Sequence, residues 1–487
     1  MPKKFYVTTS IPYVNAAPHI GFALELAQTD AIARWQRQHK RDVFFLTGAD
    51  ENSLKNVRAA EAEKMSTPEL VIRNTQRFSD LGKALNISNS AFIRTSLPEH
   101  HAGAQALWRA CKSEDIYRKS YQGLYCVGCE TFYLEKDLVG GTCPEHRTVP
   151  ELVNEENYFF RLSAYQQRLL QLINDGTLEI IPEGRRNEIT SFISMGLEDF
   201  SISRSRTRAK DWGVDVPGDP GQVMYVWFDA LSNYLTALGY GQKPAPRYKR
   251  YWPADLHVIG KGITRFHAVY WPAMLLSAGV PLPRRIFVHG YITVGGGKIS
   301  KSLGNTVDPF ALIDEFGADP VRYYLLRYVH PTQDSDFSAE KVAEAYQADL
   351  ANGLGNLTSR VTGLIEQSKM EITPRKLPSP SKELAAAMAS FDFNEALRLV
   401  WEEVRRTDAL IAAAEPWKLA KAGKTTQLKT VLAKALTGLA TAAFWLEPFL
   451  PATAEKIQNS LAVRPMVKVA PLFPRLEIKE PAAPAQV

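Results

Sequence analysis

Two strand–helix–strand patterns bracket the first three hundred residues of this chain and constrain its fold more than any other feature. Residues 5–9 are a short β-rich run. It leads through the turn-prone Pro12-Tyr13-Val14-Asn15-Ala16-Ala17-Pro18 into a stretch that sets Leu24, Ala27, Ala31 and Trp35 on one helical face. Residues 42–47 then read as a buried strand ending at Gly48. A strand, a helix and a second strand at this spacing form a βαβ unit, which implies a parallel sheet. The pattern resumes at residues 256–259 and 285–289, which flank a helical segment near 264–277. Between the two halves, residues 116–211 are punctuated by Gly and Cys with few sustained periods, and read as an insertion into the sheet domain.

Beyond Pro309 the chain turns helical and alanine-rich. Residues 369–382 carry three prolines and read as a linker. Past it, Phe393, Leu397, Val400 and Val404 make one helical face and residues 428–446 another, until Pro448 and Pro451 break the pattern. A helical bundle is the natural expectation. The segments are therefore 1–115 and 212–310 for the split sheet domain, 116–211 for the insertion and 311–368 for a first helical region. The linker at 369–382, a helical domain at 383–480 and a disordered tail at 481–487 complete the chain.

Composition narrows the class. At 45% hydrophobic and 23% charged residues, this is a globular chain with material for a large core, neither disordered nor collagenous. The longest apolar runs, 270–282 and 438–450, are broken by Pro272, Pro281, Glu447 and Pro448 and fall short of the roughly 18 to 20 residues of a membrane span. The start has no apolar signal core, so a soluble, cytoplasmic protein with no membrane partner is expected. Four cysteines make no disulfide framework. The formal charge of +6 permits an anionic partner without demanding one.

Two signals point to nucleotide chemistry. In Pro18-His19-Ile20-Gly21-Phe22, a strand-to-helix turn delivers a histidine and a glycine to a helix N-terminus, where free N–H groups and the helix dipole suit phosphate. The glycine lets a ligand approach the backbone closely. In Lys298-Ile299-Ser300-Lys301-Ser302, two lysines three residues apart follow the hairpin-like 291–297 and can close over a polyphosphate as mobile charges. Taken singly, the first is better read as an ordinary capped helix and the second as a solvated basic loop. Their pairing, one at each half of a split sheet, is what carries weight. A third constellation is metal-like: Cys126-Val127-Gly128-Cys129 and Cys143-Pro144-Glu145-His146 offer two pairs of ligands at a spacing that fits tetrahedral, structural zinc. Cys111 lies in a helical stretch and reads as core.

The two phosphate signals together resemble the signature pair of class I aminoacyl-tRNA synthetases. The segments Thr8-Thr9-Ser10-Ile11-Pro12-Tyr13-Val14-Asn15, Phe44-Phe45-Leu46-Thr47-Gly48-Ala49-Asp50-Glu51 and Tyr225-Val226-Trp227-Phe228-Asp229-Ala230-Leu231 narrow the resemblance to methionyl-tRNA synthetases. So do His257-Val258-Ile259-Gly260-Lys261, Phe266-His267 and His289-Gly290-Tyr291. The likeness runs from about residue 5 to 477 in the family's order.

The resemblance implies a Rossmann-like α/β catalytic domain split by a zinc-knuckle connective insertion, followed by an α-helical bundle for the anticodon. It implies a ligase that activates L-methionine with ATP and charges initiator and elongator methionine tRNA, as a monomer. His19, Lys298 and Lys301 would serve catalysis. Pro18, His19, Gly21, Gly260, Lys298, Ser300 and Lys301 would bind ATP with Mg2+. Ile11, Tyr13, Asp50, Trp227, Ala230, Tyr234, Ile263 and His267 would bind methionine, and Cys126, Cys129, Cys143 and His146 would hold one Zn2+. The family commonly has another residue at Phe22, at Asn52-Ser53 and at Asp408, and a longer segment with a tryptophan at residues 460–471. These departures define the alternative of a related enzyme with another acceptor or relaxed anticodon reading. A non-catalytic RNA-binding scaffold is the third reading, and the presence of His19, Asp50, Lys298 and Lys301 argues against it.

Overall fold

The structure is a computed structural model that describes residues 2–128, 131–133, 135–144, 147–298, 306–374 and 377–475. Cys129, His146, Ser300, Lys301 and the tail 481–487 lie outside the described residues, and of Lys298 only the backbone is described. The chain divides into two compact units. One comprises residues 1–29, 36–83 and 87–291, the other residues 30–35, 84–86 and 292–487.

The first unit begins with β1 (Lys4–Thr8), α1 (Ile20–Gln38) and β2 (Asp42–Ala49). Next come α2 (Leu54–Ala62), α3 (Thr67–Ala84), β3 (Ala91–Arg94) and α4 (Pro98–Ala110). A second sheet starts with β4 (Ile116–Cys126), β5 (Thr131–Tyr133) and β6 (Glu151–Phe160), followed by α5 (Gln166–Asn174), β7 (Glu179–Ile181) and α6 (Glu183–Ser194). Four short strands, β8 (Phe200–Ser201), β9 (Ser203–Ser205), β10 (Asp215–Val216) and β11 (Asp219–Met224), lead into α7 (Val226–Leu231), α8 (Asn233–Thr236) and α9 (Pro246–Tyr251). β12 (Leu256–Gly260), α10 (Trp271–Ser277) and β13 (Arg285–His289) close the unit.

Its main sheet has the order β3-β2-β1-β12-β13-β7 and every pairing in it is parallel. β1 is buried on both faces, as expected of a strand covered by helices above and below. α1 follows from its apolar stripe: Leu24, Ala27, Ala31 and Trp35 are all buried. The chain order reverses at β1, which pairs with β2 on one side and with β12 on the other. Connections leave such a reversal in opposite directions and open a crevice at the carboxyl ends of the strands.

Two local readings change. β2 continues through Gly48 to Ala49 instead of ending there. Gly48 pairs in register with Ile93, and a Cβ on it would lie 2.3 Å from the Ile93 side chain, so the glycine permits close packing of β3 and is no terminator. The stretch 116–211 is not wholly separate from the main sheet, because β7 pairs with β13 as its edge strand. Three residues are too few to show a period. The remainder of that stretch is built on a long antiparallel ladder between β4 and β6, from Ile116 opposite Phe160 to Tyr125 opposite Glu151.

The second unit opens with β14 (Ile292–Val294) and β15 (Gly297–Lys298), a hairpin whose turn residues Gly295 and Gly296 both have positive φ. Then come α11 (Pro309–Phe316), α12 (Ala318–Arg327), β16 (Ser335–Asp336), α13 (Ala339–Ala345) and α14 (Asn356–Ser368). Beyond residues 369–381 follow α15 (Lys382–Ala389), α16 (Phe393–Ala414), α17 (Pro416–Lys421), α18 (Thr425–Leu446) and α19 (Pro451–Ala462). Phe393, Leu397, Val400 and Val404 are buried on α16, which packs on α18. Asp408, a lone carboxylate by sequence, is paired with Arg360 of α14 at 2.7 Å.

Candidate active site

A cavity of about 400 Å³ occupies the carboxyl ends of β1, β2 and β12, where the strand order reverses. All eight residues named for methionine line it: Ile11, Tyr13, Asp50, Trp227, Ala230, Tyr234, Ile263 and His267, with His19 beside them. Sequence places these residues on four separate segments. The parallel sheet brings three of the segments together, and α7 and α8 supply the fourth.

Asp50 sits just past β2 and is almost wholly buried. Its N–H donates to Pro12 O at 2.9 Å and it bridges to Tyr13 in parallel, so the segment after β1 and the end of β2 rise as one wall. One carboxylate oxygen of Asp50 accepts the Asn52 N–H at 3.2 Å. The adjacent Glu51 is equally buried but turned into the core. It accepts from Thr75 Oγ1 at 2.5 Å and pairs with Arg94 at 2.8 Å. Alternation along an extended chain thus assigns one carboxylate to the cavity and its neighbour to the scaffold.

The opposite wall is aromatic. Trp227 stacks face to face on Phe266 at 3.7 Å between centroids and meets Tyr13 edge-on at 6.3 Å. Behind it, His267 Nδ1 lies 3.0 Å from Ile263 O, and His267 Nε2 lies 2.7 Å from Tyr234 Oη. A carbonyl oxygen only accepts, so we assign the proton to Nδ1, and Tyr234 O–H donates to Nε2. Desolvation drives the His267 pKa down to about 4, which keeps the ring neutral. The Tyr234 hydroxyl proton is therefore committed to His267, and the pocket presents apolar ring surface to whatever enters. His257, buried beneath Tyr234, receives or gives one hydrogen bond with Thr8 Oγ1 at 2.8 Å. Burial, and then His267, hold its pKa well below the histidine range.

His19 is open to solvent at the cavity mouth, yet surrounding protein atoms still lower its pKa by desolvation. Its Nδ1 accepts the Gly21 N–H at 3.0 Å, which folds the ring back over the start of α1. A Cβ at residue 21 would lie 2.8 Å from that ring, so glycine is what lets His19 take this position. Phe22 also lines the cavity and packs edge-on against Phe78 at 5.3 Å. Pro18 is buried and Gly260 ends β12, and neither lines the cavity.

Comparison with known proteins gives the family. The family described as tRNA synthetases class I (M) matches residues 5–149 and 146–362. The methionine–tRNA ligase of Rhizobium meliloti strain 1021 is 44% identical over 477 residues, covering 94% of this chain and 92% of the relative. That of Mycobacterium tuberculosis strain H37Rv is 43% identical over 488 residues, covering 95% and 93%. The chain belongs to the methionyl-tRNA synthetase family. Among solved structures, Mycobacterium tuberculosis methionyl-tRNA synthetase in complex with methionyl-adenylate superposes with a TM-score of 0.89 at 42% identity, covering 95% of this chain and 94% of that one.

Within this family member, the cavity also holds residues to which sequence reading assigned no role. Asn15 and Tyr291 lie in segments that carried the resemblance, so a signal for them was present. Asn233 and Phe78 lie on helices as ordinary pattern residues, and nothing in one sequence marks them. Glu25 of α1 accepts the Ser10 N–H at 2.7 Å and faces His289 Nε2 at 2.9 Å, supporting the loop after β1 from below. The Trp227 indole N–H and Asn233 Oδ1 are buried without a hydrogen-bond partner among the described residues.

Two of the proposed zinc ligands are described. Cys126 ends β4 and Cys143 follows the β5 segment, and both are buried. Cys126 Sγ lies 3.8 Å from Thr148 Oγ1, and Cys143 Sγ lies 3.6 Å from Tyr133 Oη. Buried thiols are donors that suit zinc. Cys111, by contrast, is packed in the core near Met274 O, and desolvation pushes its thiol up to about 12, which makes it an inert thiol.

Proposed function

We propose that the cavity binds L-methionine and ATP side by side, with Asp50 facing the substrate ammonium and His19 the phosphates. The chain is a methionine–tRNA ligase: it activates methionine with ATP to methionyl-adenylate and transfers the methionyl group to methionine tRNA, releasing AMP and diphosphate. What supports the placement is one observation. A buried carboxylate, an apolar aromatic wall and a histidine at a helix start line a single cavity.

A flexible thioether suits the aromatic wall, since sulfur–ring contacts are favourable. With its ammonium on Asp50, methionine would direct its carboxylate to the α-phosphate of ATP. The carboxylate oxygen attacks phosphorus as the bond to diphosphate breaks. A terminal tRNA hydroxyl then attacks the methionyl carbonyl and AMP leaves. Both steps call for positioning and charge stabilisation more than covalent work by the protein. His19, whose pKa desolvation lowers, would act on the phosphates as a hydrogen-bonding group. Lys298 and Lys301 would supply the positive charge, with Ser300 on the same loop. Mg2+ on the phosphates would neutralise further charge when bound. Pro18 and Gly260 would shape the ATP site through the backbone.

Cys126, Cys129, Cys143 and His146 would together hold one structural Zn2+. The division into a catalytic domain split at 116–211, a region at 311–368 and an anticodon domain at 383–480 belongs to the same reading. So do recognition of initiator and elongator tRNA, a monomeric state and a cytoplasmic location. Among the described residues, no helix is long and apolar enough to cross a membrane. The alternative of another acceptor finds no support among the relatives. Asp408 no longer argues for it either, because its charge is matched by Arg360.

Methionine-dependent ATP–diphosphate exchange tests the reading, followed by charging of methionine tRNA transcripts with anticodon-mutant controls. Lys301→Ala is expected to slow adenylate formation with methionine affinity little changed. An unaltered rate would remove the lysine from the reaction.

A further inference from the structure

We propose that Asp229, His100 and Asn52 form a buried positioning network that sets the spacing between the two walls of the amino-acid pocket. The inference rests on the reading of that cavity as the methionine site. None of the three residues lines the cavity, and the reaction as derived above uses none of them.

Asp229 lies on α7 between Trp227 and Ala230, which both face the cavity. Its carboxylate binds two donors drawn from other elements. Oδ1 is 2.5 Å from His100 Nε2 on α4, and Oδ2 accepts from Asn52 Nδ2 at 2.8 Å. The His100 and Asp229 side chains are at most 1% exposed. On its far side His100 Nδ1 lies 2.8 Å from Thr236 Oγ1, on α8, the helix that carries Tyr234. Asn52 closes the circuit. Its backbone N–H donates to Asp50 Oδ1 at 3.2 Å, and its side chain also donates to Thr95 O at 2.9 Å.

The Asp50 wall and the Trp227–Ala230–Tyr234 wall are thus joined through two side chains behind the cavity. A buried carboxylate is stable only while its donors stay in place, and in a low-dielectric surrounding those bonds are strong and directional. The network therefore resists separation of the ammonium-facing carboxylate from the ring wall, a displacement that would loosen the fit to methionine while leaving His19 and the start of α1 where they are. Small misplacements of binding groups are costly because the reacting atoms lose their alignment. Asp229, His100 and Asn52 are positioning residues.

The test is methionine-dependent ATP–diphosphate exchange by the full chain, with KM measured for each substrate. Asn52→Ala removes the link at the Asp50 end and is expected to raise KM for methionine about tenfold while KM for ATP stays within about twofold. His100→Ala should act in the same direction, and His100→Gln, which keeps a donor for Asp229, should recover most of the loss. A general weakening of the fold would lower the thermal midpoint and move both KM values together, or neither, and that result overturns the network. Wild-type protein without methionine-dependent exchange overturns the underlying site as well. Exchange by the wild type with an unchanged methionine KM in Asn52→Ala overturns the network alone.

Discussion

At the floor of the cavity Tyr234, His257 and His267 are buried, with Tyr234 and His267 bonded to each other and every ring packed on another. At its mouth His19 is open to solvent, and its Nδ1 accepts the Gly21 N–H. Both regions contain histidines whose pKa desolvation lowers, yet in different settings. At the floor the Tyr234 hydroxyl and both His267 nitrogens are bonded within the protein, so these rings are held in place by the fold itself. The mouth leaves its imidazole open to solvent and able to form new bonds, as the proposed contact with phosphate would require. On the proposed reading, pre-organisation would serve selection of the side chain, and availability would serve the chemistry.

The largest expected effect tests the buried interior of the cavity against its mouth. Asp50→Ala should lower kcat/KM for methionine by about 100-fold or more, the scale of losing one partner of a buried charge pair, read from exchange kinetics. A loss of only a few-fold would mean that the ammonium is held elsewhere.

Acid comes next, and it should strike the floor first. His267 has a folded pKa of about 4 against 6.5 when unmodified, and that of His257 is also lowered. Below pH 6.5 the unfolded chain binds protons that the fold excludes, so stability is complete above that pH and is lost as pH falls toward 4. His267 alone accounts for roughly 3 kcal/mol across that window. Urea unfolding at pH 7 and at pH 4.5 measures it, and equal stabilities would show that the rings are protonated without cost.

At the mouth, His19→Ala should slow adenylate formation by roughly 10- to 100-fold, comparable with loss of one transition-state donor, with methionine binding unchanged. Equal damage to methionine binding would erase the distinction between the two regions. The smallest effect separates shape from hydrogen bonding within the floor. Tyr234→Phe leaves His267 Nε2 without its donor, at a cost of about 1 kcal/mol, and should raise KM for methionine a few-fold. An effect as large as that of Asp50→Ala would mean that the hydroxyl contacts the substrate directly.

Much of the lining of the cavity was readable before the structure. Ile11, Tyr13, Asp50, Trp227, Ala230, Tyr234, Ile263 and His267 were named on the family's motifs, and the structure gathers all of them at one cavity. Their partners were not readable in the same way. Asp229 stood inside a quoted motif without a role, and His100 is an unremarkable residue on α4, because a hydrogen bond across 129 positions leaves no local pattern. β7 was missed since three residues show no period, and Gly48 was read as a strand end because its close neighbour Ile93 lies 45 positions on.

The sequence by itself determined the parallel-sheet class, the helical second half and the chemical types at the site, since periodicity and motif spacing are local properties of the chain. Tertiary structure alone decided which atoms those groups would meet. It turned Glu51 into the core while Asp50 faces the cavity, gave the Tyr234 proton to His267, and set Arg360 against Asp408. Burial and hydrogen-bond geometry determine whether a polar side chain is scaffold or reagent, and both arise only when distant segments pack.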